Sequence, residues 1–276
     1  MRKASYAVMF FLLPYLFISC RTSPAFQNIV GTTLANSGKY IEAIISFNDA
    51  IKQEPENAEL YIRRGKVYYA MKNYNSALLD FNKAIAFDPQ SIEANYYSGI
   101  IYFSLSEYEE ALKYLELVPN RHLNSNDSTI IGIIYYHLDE YHKAKNSFTQ
   151  AIHINNGNFE AYNGRGLVYE EMGEYDSAIN DYSMAIQINN IYTDAYYNRG
   201  LLYMELKDFN EALVDFNSAI KITKDDADLY HFRGLIYFEL SKQSSNEEEI
   251  YNYLELARAD IEMSIFLKND RRRESR

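Results

Sequence analysis

The chain has 276 residues, 47% hydrophobic and 24% charged, and a net charge of -11 at neutral pH. That balance excludes an intrinsically disordered chain, and the acidic excess argues against a nucleic-acid partner. Length alone would suggest about two compact domains.

Residues 1–20 read as a separate object. Arg2 and Lys3 precede a short apolar run from Ala7 to Ile18, interrupted by Pro14 and ended by Ser19 and Cys20. The run is shorter than the roughly 20 apolar residues needed to cross a bilayer, so it reads as a secretory signal. Leu16, Phe17, Ile18, Ser19 and Cys20 resemble the lipobox of bacterial lipoproteins, with Phe17 where an aliphatic residue is usual. The resemblance implies cleavage before Cys20 and lipidation of Cys20; an uncleaved anchor and ordinary cleavage near Ser19 are the alternatives. Cys20 is the only cysteine. Lipidated, it leaves no free thiol and no disulfide in the mature chain. Residues 21–23 then form a short tether that holds the rest near a cell-envelope membrane.

From residue 24 a pattern recurs. Glycine stands at Gly31, Gly65, Gly99, Gly132, Gly166, Gly200 and Gly234, in steps of 34 residues with a single step of 33. Three residues on come Leu34, Tyr68, Tyr102, Tyr135, Tyr169, Tyr203 and Tyr237, on the same helical face. Later in each period come Tyr40, Tyr74, Tyr108, Tyr141, Tyr175 and Phe209, and then Phe47, Phe81, Leu115, Phe148, Tyr182 and Phe216. Each period reads as two antiparallel helices with small residues where they touch, and Pro55 and Pro89 mark helix ends. Residues in this order resemble the tetratricopeptide (TPR) repeat. The resemblance implies an all-α solenoid, a right-handed superhelix of seven helix pairs at 24–57, 58–91, 92–124, 125–158, 159–192, 193–226 and 227–268, followed by a basic tail at 269–276.

Two correlations refine this. Arginine precedes the glycine at Arg64, Arg165, Arg199 and Arg233, and aspartate precedes the second-helix core residue in the same four repeats, at Asp80, Asp181, Asp215 and Asp260. Elsewhere both are absent together, which predicts an ion pair between the two helices of one repeat. The pair is 16 residues apart in three repeats and 27 in the last, so eleven residues are inserted between Leu240 and Leu254. Eleven residues are close to three helical turns. The spacing predicts a long final helix from about Glu247 to Leu267, with Ser245 or Asn246 as its N-cap, serving as the end cap of the stack. The 33-residue step falls in residues 119–127, the least helical stretch, which divides three repeats from four.

In the TPR family the first helices line a concave groove, which places Tyr69, Tyr96, Phe103, Tyr136, Tyr197 and Phe238 on or near it. Glu171, Glu205 and Glu239, with Glu170 beside the first, recur in the last turn of three consecutive first helices. A negative charge there opposes the helix dipole by about 0.3–1 kcal/mol, so local helix stability does not explain them. These residues predict a groove for a basic or amphipathic segment of a partner, another envelope protein. The alternative is a transport-accessory protein holding a small apolar solute. No catalytic, metal or cofactor site is expected. The five histidines lack metal spacing, and Gly164 with Gly166 are assigned to the repeat turn rather than to a phosphate loop.

Overall fold

The structure, a computed structural model, describes residues 23–274, with side chains to residue 270. Cys20 and the signal-like segment lie outside the described residues. Within them every regular element is helical, and no helix is long and apolar enough to cross a membrane.

The chain divides into two compact blocks, one ending at His122 and the other beginning at Leu123. The first contains α1 (Pro24–Asn36) with α2 (Tyr40–Gln53), α3 (Ala58–Ala70) with α4 (Tyr74–Phe87), and α5 (Ile92–Ser104) with α6 (Tyr108–Leu115). The second contains α7 (Ser125–His137) with α8 (Tyr141–Ile154), α9 (Phe159–Glu171) with α10 (Tyr175–Ile188), α11 (Thr193–Glu205) with α12 (Phe209–Ile222), and α13 (Ala227–Gln243) with α14 (Glu247–Glu274). The division falls in the irregular stretch that the sequence marks. There α6 has only 8 residues, a short 3-10 turn spans Asn120–His122, and α7 opens with a capping box of Asn124 and Asp127.

The hairpins owe their shape to local chemistry. Asn57, Asn73, Ser91, Asn158 and Asp226 cap helix N-termini with their side chains. In six hairpins the turn passes through one residue of positive φ, at Gly38, Lys72, Ser106, Asp139, Gly173 and Lys207. The following N–H then reaches back to the carbonyl of the residue three after the repeat glycine, as in Asp208 to Tyr203 at 2.8 Å. This Schellman-type closure satisfies an orphan carbonyl at the end of each first helix. Four of the six positions hold residues with a Cβ, which strains the turn.

The repeat glycine has a steric role. A Cβ on Gly65 would lie 2.8 Å from the Phe81 ring, and one on Gly200 would lie 2.9 Å from Phe216. Each glycine is the slot for its partner helix's core side chain, and Phe47, Phe81, Phe148, Tyr182 and Phe216 are all at most 1% exposed. Gly164 is a second slot: its Cβ would meet Phe148 of the preceding pair at 2.5 Å. Gly164 and Gly166 therefore lie inside α9 at two helix contacts, and not in a repeat turn.

The eleven-residue insertion is shared by both helices of the last hairpin. Matched to α11 and α12, α13 gains four residues at its end (240–243) and α14 gains seven at its start (247–253). Four residues advance a helix by about 40° beyond one turn, and seven fall about 20° short of two. Each helix therefore keeps its buried face, and Arg233 still meets Asp260. Asn246 is the N-cap, accepting from the Glu248 N–H at 3.0 Å. The helix runs on to Glu274, beyond the expected Leu267, so the segment expected as a tail is largely helical. It does not cap the stack. α14 occupies the ordinary second-helix place against α13, and the face that would receive another repeat stays open, with Leu235, Phe238, Leu254 and Ile265 exposed.

Two substitutions probe the glycine slot and the left-handed turn by urea unfolding. Gly200→Ala is expected to destabilise by about 1–3 kcal/mol through overpacking. Lys207→Gly is expected to stabilise by about 0.5–1 kcal/mol by relieving the left-handed turn residue.

Candidate functional site

All four predicted ion pairs form, and each is bidentate. Arg64, Arg165, Arg199 and Arg233 donate Nε–H and Nη2–H to the two carboxylate oxygens of Asp80, Asp181, Asp215 and Asp260, with Nε distances of 2.8, 2.7, 2.9 and 2.7 Å. The remaining Nη1 of each arginine crosses to the preceding helix pair, where Asn48, Thr149, Ser183 or Asn217 accepts it. The acceptor always follows the core residue of the preceding second helix. Its side chain varies among Asn, Thr and Ser, so no single identity marks the position in the sequence. One guanidinium thus joins three helices, and tyrosines three or four residues away lie under its face, as Tyr203 does at 6.0 Å from Arg199. Burial pushes the Asp80 and Asp215 carboxyls above the ordinary carboxylate range, against the pull of their arginines.

Where the clamp is missing, the space is filled differently. Ser98 takes the arginine position, fully buried, with its hydroxyl unpartnered. Tyr114 takes the aspartate position, stacks on Tyr102 at 5.5 Å, and directs its hydroxyl to Asn82 at 3.4 Å.

The predicted aromatic residues sit mostly in packing contacts. Half-buried Tyr69 lies 6.0 Å from Tyr74 and meets Tyr97 edge-on at 5.3 Å. Tyr96 packs edge-on against Tyr97, Phe103 against Tyr108, and Tyr197 between Phe216 and Phe232. Phe238 is at the repeat position of Phe103 and Tyr136, four residues after the glycine. It is at the open end of the C-terminal block, with the Lys242 ammonium 4.2 Å above its ring.

The acidic row is held by tyrosines. The Tyr136 hydroxyl donates to Glu171 at 3.4 Å and the Tyr175 hydroxyl to Glu205 at 3.1 Å, each from the preceding helix pair. Both carboxylates remain exposed, and Glu239 instead pairs with Lys242 at 2.6 Å. Burial, then the Glu171 charge, pushes the Tyr136 phenol up to about 12, so it stays a donor at neutral pH. Glu170 turns inward, where the hydroxyl of fully buried Tyr182 donates to it at 2.8 Å. Desolvation pushes the Glu170 carboxyl up; the Tyr182 bond opposes this, and Glu205 and Glu171 add to it. A polar Tyr182 among four phenylalanines and a leucine was the available sign of this inward acid.

A second feature lay outside the sequence reading. In the N-terminal block, first helices α1, α3 and α5 enclose an open cavity of about 340 Å³ lined by Phe47, Val67, Glu59, Arg63, Lys66 and Glu93. Arg63 donates to Glu59 at 2.7 Å and to Thr32 at 2.9 Å, and Lys66 reaches Glu93 at 3.3 Å. Lys66 thus bridges to the next first helix. Among the described residues no group of three His, Cys, Asp or Glu is placed to hold a metal. His137 and His231 lie edge-on to Tyr136 and Phe232.

Helix pairs with a recurrent glycine slot, a Schellman turn in six of the hairpins and a buried aromatic in five define a TPR-type helical solenoid. Family descriptions agree: residues 58–91, 193–226 and 129–158 match "Tetratricopeptide repeat", and 31–72 and 171–207 match "TPR repeat". The chain is therefore built of tetratricopeptide repeats, and together the matches span more than half of it. Several solved structures share the fold. YrrB, described as "a TPR protein with an unusual peptide-binding site", is 24% identical with a TM-score of 0.60 over 68% of this chain and 97% of its own. A tetratricopeptide repeat protein from Parabacteroides merdae is 20% identical with a TM-score of 0.62, over 85% of this chain and 98% of that one. MamA from Desulfovibrio magneticus is 15% identical with a TM-score of 0.56, over 60% of this chain and 95% of that one. Among curated proteins there is no match. TPR folds are typically non-enzymatic interaction scaffolds that bind peptide or protein partners.

Arg199→Met would leave Asp215 buried and unpaired and should cost about 3–5 kcal/mol, whereas adding Asp215→Leu should recover most of that loss in thermal unfolding. Because the folded state raises the Glu170 carboxyl, it binds that proton more tightly than the unfolded chain does. Stability therefore falls as pH rises from the ordinary carboxylate range through the raised value. Glu170→Gln, which keeps an acceptor for Tyr182, should unfold at a higher temperature than wild type at pH 7. The difference should shrink as pH is lowered through the carboxylate range.

Proposed function

We propose that this chain is a non-enzymatic scaffold that docks a basic or amphipathic segment of another envelope protein against the acidic row of its C-terminal block. The observation that carries this reading is the pair of exposed carboxylates, Glu171 and Glu205, each fixed by a tyrosine hydroxyl from the preceding helix pair. A carboxylate held in place loses less freedom on meeting a lysine or arginine than a solvated one does. The net charge of -11 supports attraction of a cationic partner. The cavity of the N-terminal block counts against the small apolar solute, because Glu59, Arg63, Lys66 and Glu93 line it. Lipidation at Cys20 and an envelope location rest on the lipobox resemblance and on the short tether before α1.

Photocrosslinking from Tyr136 and Tyr197 in intact cells, with mass spectrometry of the adducts, should capture one dominant protein. Replacing Glu171, Glu205 and Glu239 by Gln should reduce that capture by about tenfold; undiminished capture rejects the acidic row as the site. Cys20→Ser should move the chain out of the membrane fraction and abolish incorporation of labelled lipid. Continued labelling would contradict anchoring at that residue.

A further inference from the structure

We infer that the open end of the C-terminal block is a self-association surface on which α14 of a second copy packs antiparallel across a two-fold axis. The inference is independent of the groove and of the anchor.

Inside each block, the face formed by a helix pair is covered by the first helix of the next pair. For α11 and α12 that cover is α13, which leaves Phe209 at 9% and Ile220 at 8% exposure. The equivalent residues of the last pair are Leu254 and Ile265, at 41% and 56% exposure. Leu254 lines an open groove of about 450 Å³ with Leu235, Phe238 and Ile261, the seat a further first helix would fill, and Ile265 is exposed one helical turn beyond Ile261. The surface continues the stacking interface of the array, and burying it gains the same apolar contact that each internal step gains.

Two features identify the occupant as α14 itself. The internal seat is always filled by a helix running antiparallel to the second helix, because the two are joined by a short turn. An α14 related by a two-fold axis perpendicular to it runs antiparallel in the same way. The seat side of α14 also carries Tyr251, Leu254, Arg258, Ile261 and Ile265, spaced alternately three and four residues apart as in a coiled-coil seam. An antiparallel pairing centred near residue 260 sets Leu254 opposite Ile265 and Arg258 opposite Glu262 of the other copy. Arg258 and Glu262 are exposed and pair with each other at 2.9 Å along one helix, so both can exchange onto the second copy. The charges and the apolar residues are thus complementary to themselves.

Sedimentation equilibrium of the intact chain, with detergent density-matched, should show a monomer–dimer equilibrium. Leu254→Glu and Ile265→Glu should each raise the dissociation constant by about tenfold or more with helicity and melting unchanged. Arg258→Glu and Glu262→Arg should each weaken self-association, while an equimolar mixture of the two variants should form a heterodimer, since both cross-pairs then attract. A chain that stays monomeric, with the stripe shielded only by detergent or by an added partner helix, would overturn the inference. So would a dimer that the stripe substitutions leave intact, or a mixture no tighter than its components.

Discussion

The stack depends on how closely a first helix approaches the second helix of its own pair. That approach is set by a missing Cβ, because at Gly65, Gly132, Gly166 and Gly200 a methyl group would fall within 3 Å of a buried ring. The ring so admitted fills the volume between the pair and the next one. A guanidinium then ties the arrangement at its polar edge, with two donors to the aspartate of its own pair and one to the preceding pair. Dispersion in the slot and charge-assisted hydrogen bonds at the edge act on the same three helices.

Much of this was legible in the residues. The period, the hairpins and the division near residue 120 follow from glycine and aromatic spacing. The joint presence and absence of arginine and aspartate pointed to the clamp, since a buried guanidinium and carboxylate are each costly alone. The missing parts have physical causes. The third arginine bond goes to amide or hydroxyl acceptors that leave no constant residue. The insertion could be placed only as a whole, because four residues in one helix and seven in the other preserve both buried faces as well as eleven in one would. The final helix does not cap the stack because its length is not coverage: α14 is long along α13, and length in that direction hides none of the seat.

The candidate site was legible in part. The glutamate row stood out because it opposes the helix dipole, but its fixation by Tyr136 and Tyr175 depends on how consecutive pairs stack. The groove aromatics were ambiguous in sequence, since a tyrosine that packs between first helices and one that meets a ligand occupy the same repeat positions. The inward turn of Glu170 separates it from Glu171 beside it, one carboxylate serving the core and the other facing solvent. The cavity between α1, α3 and α5 escaped notice because its charged residues already had ordinary explanations as helix-terminal or surface groups.

A single arginine couples one helix pair to the one before it. A double-mutant cycle between Arg233 and Asn217, whose side chains meet at 2.8 Å, tests it most directly. With Arg233→Met and Asn217→Ala measured singly and together by urea unfolding, a coupling energy of about 1–3 kcal/mol is expected for a charge-assisted bond between pairs. Additive losses would contradict the coupling and confine the arginine to its own hairpin.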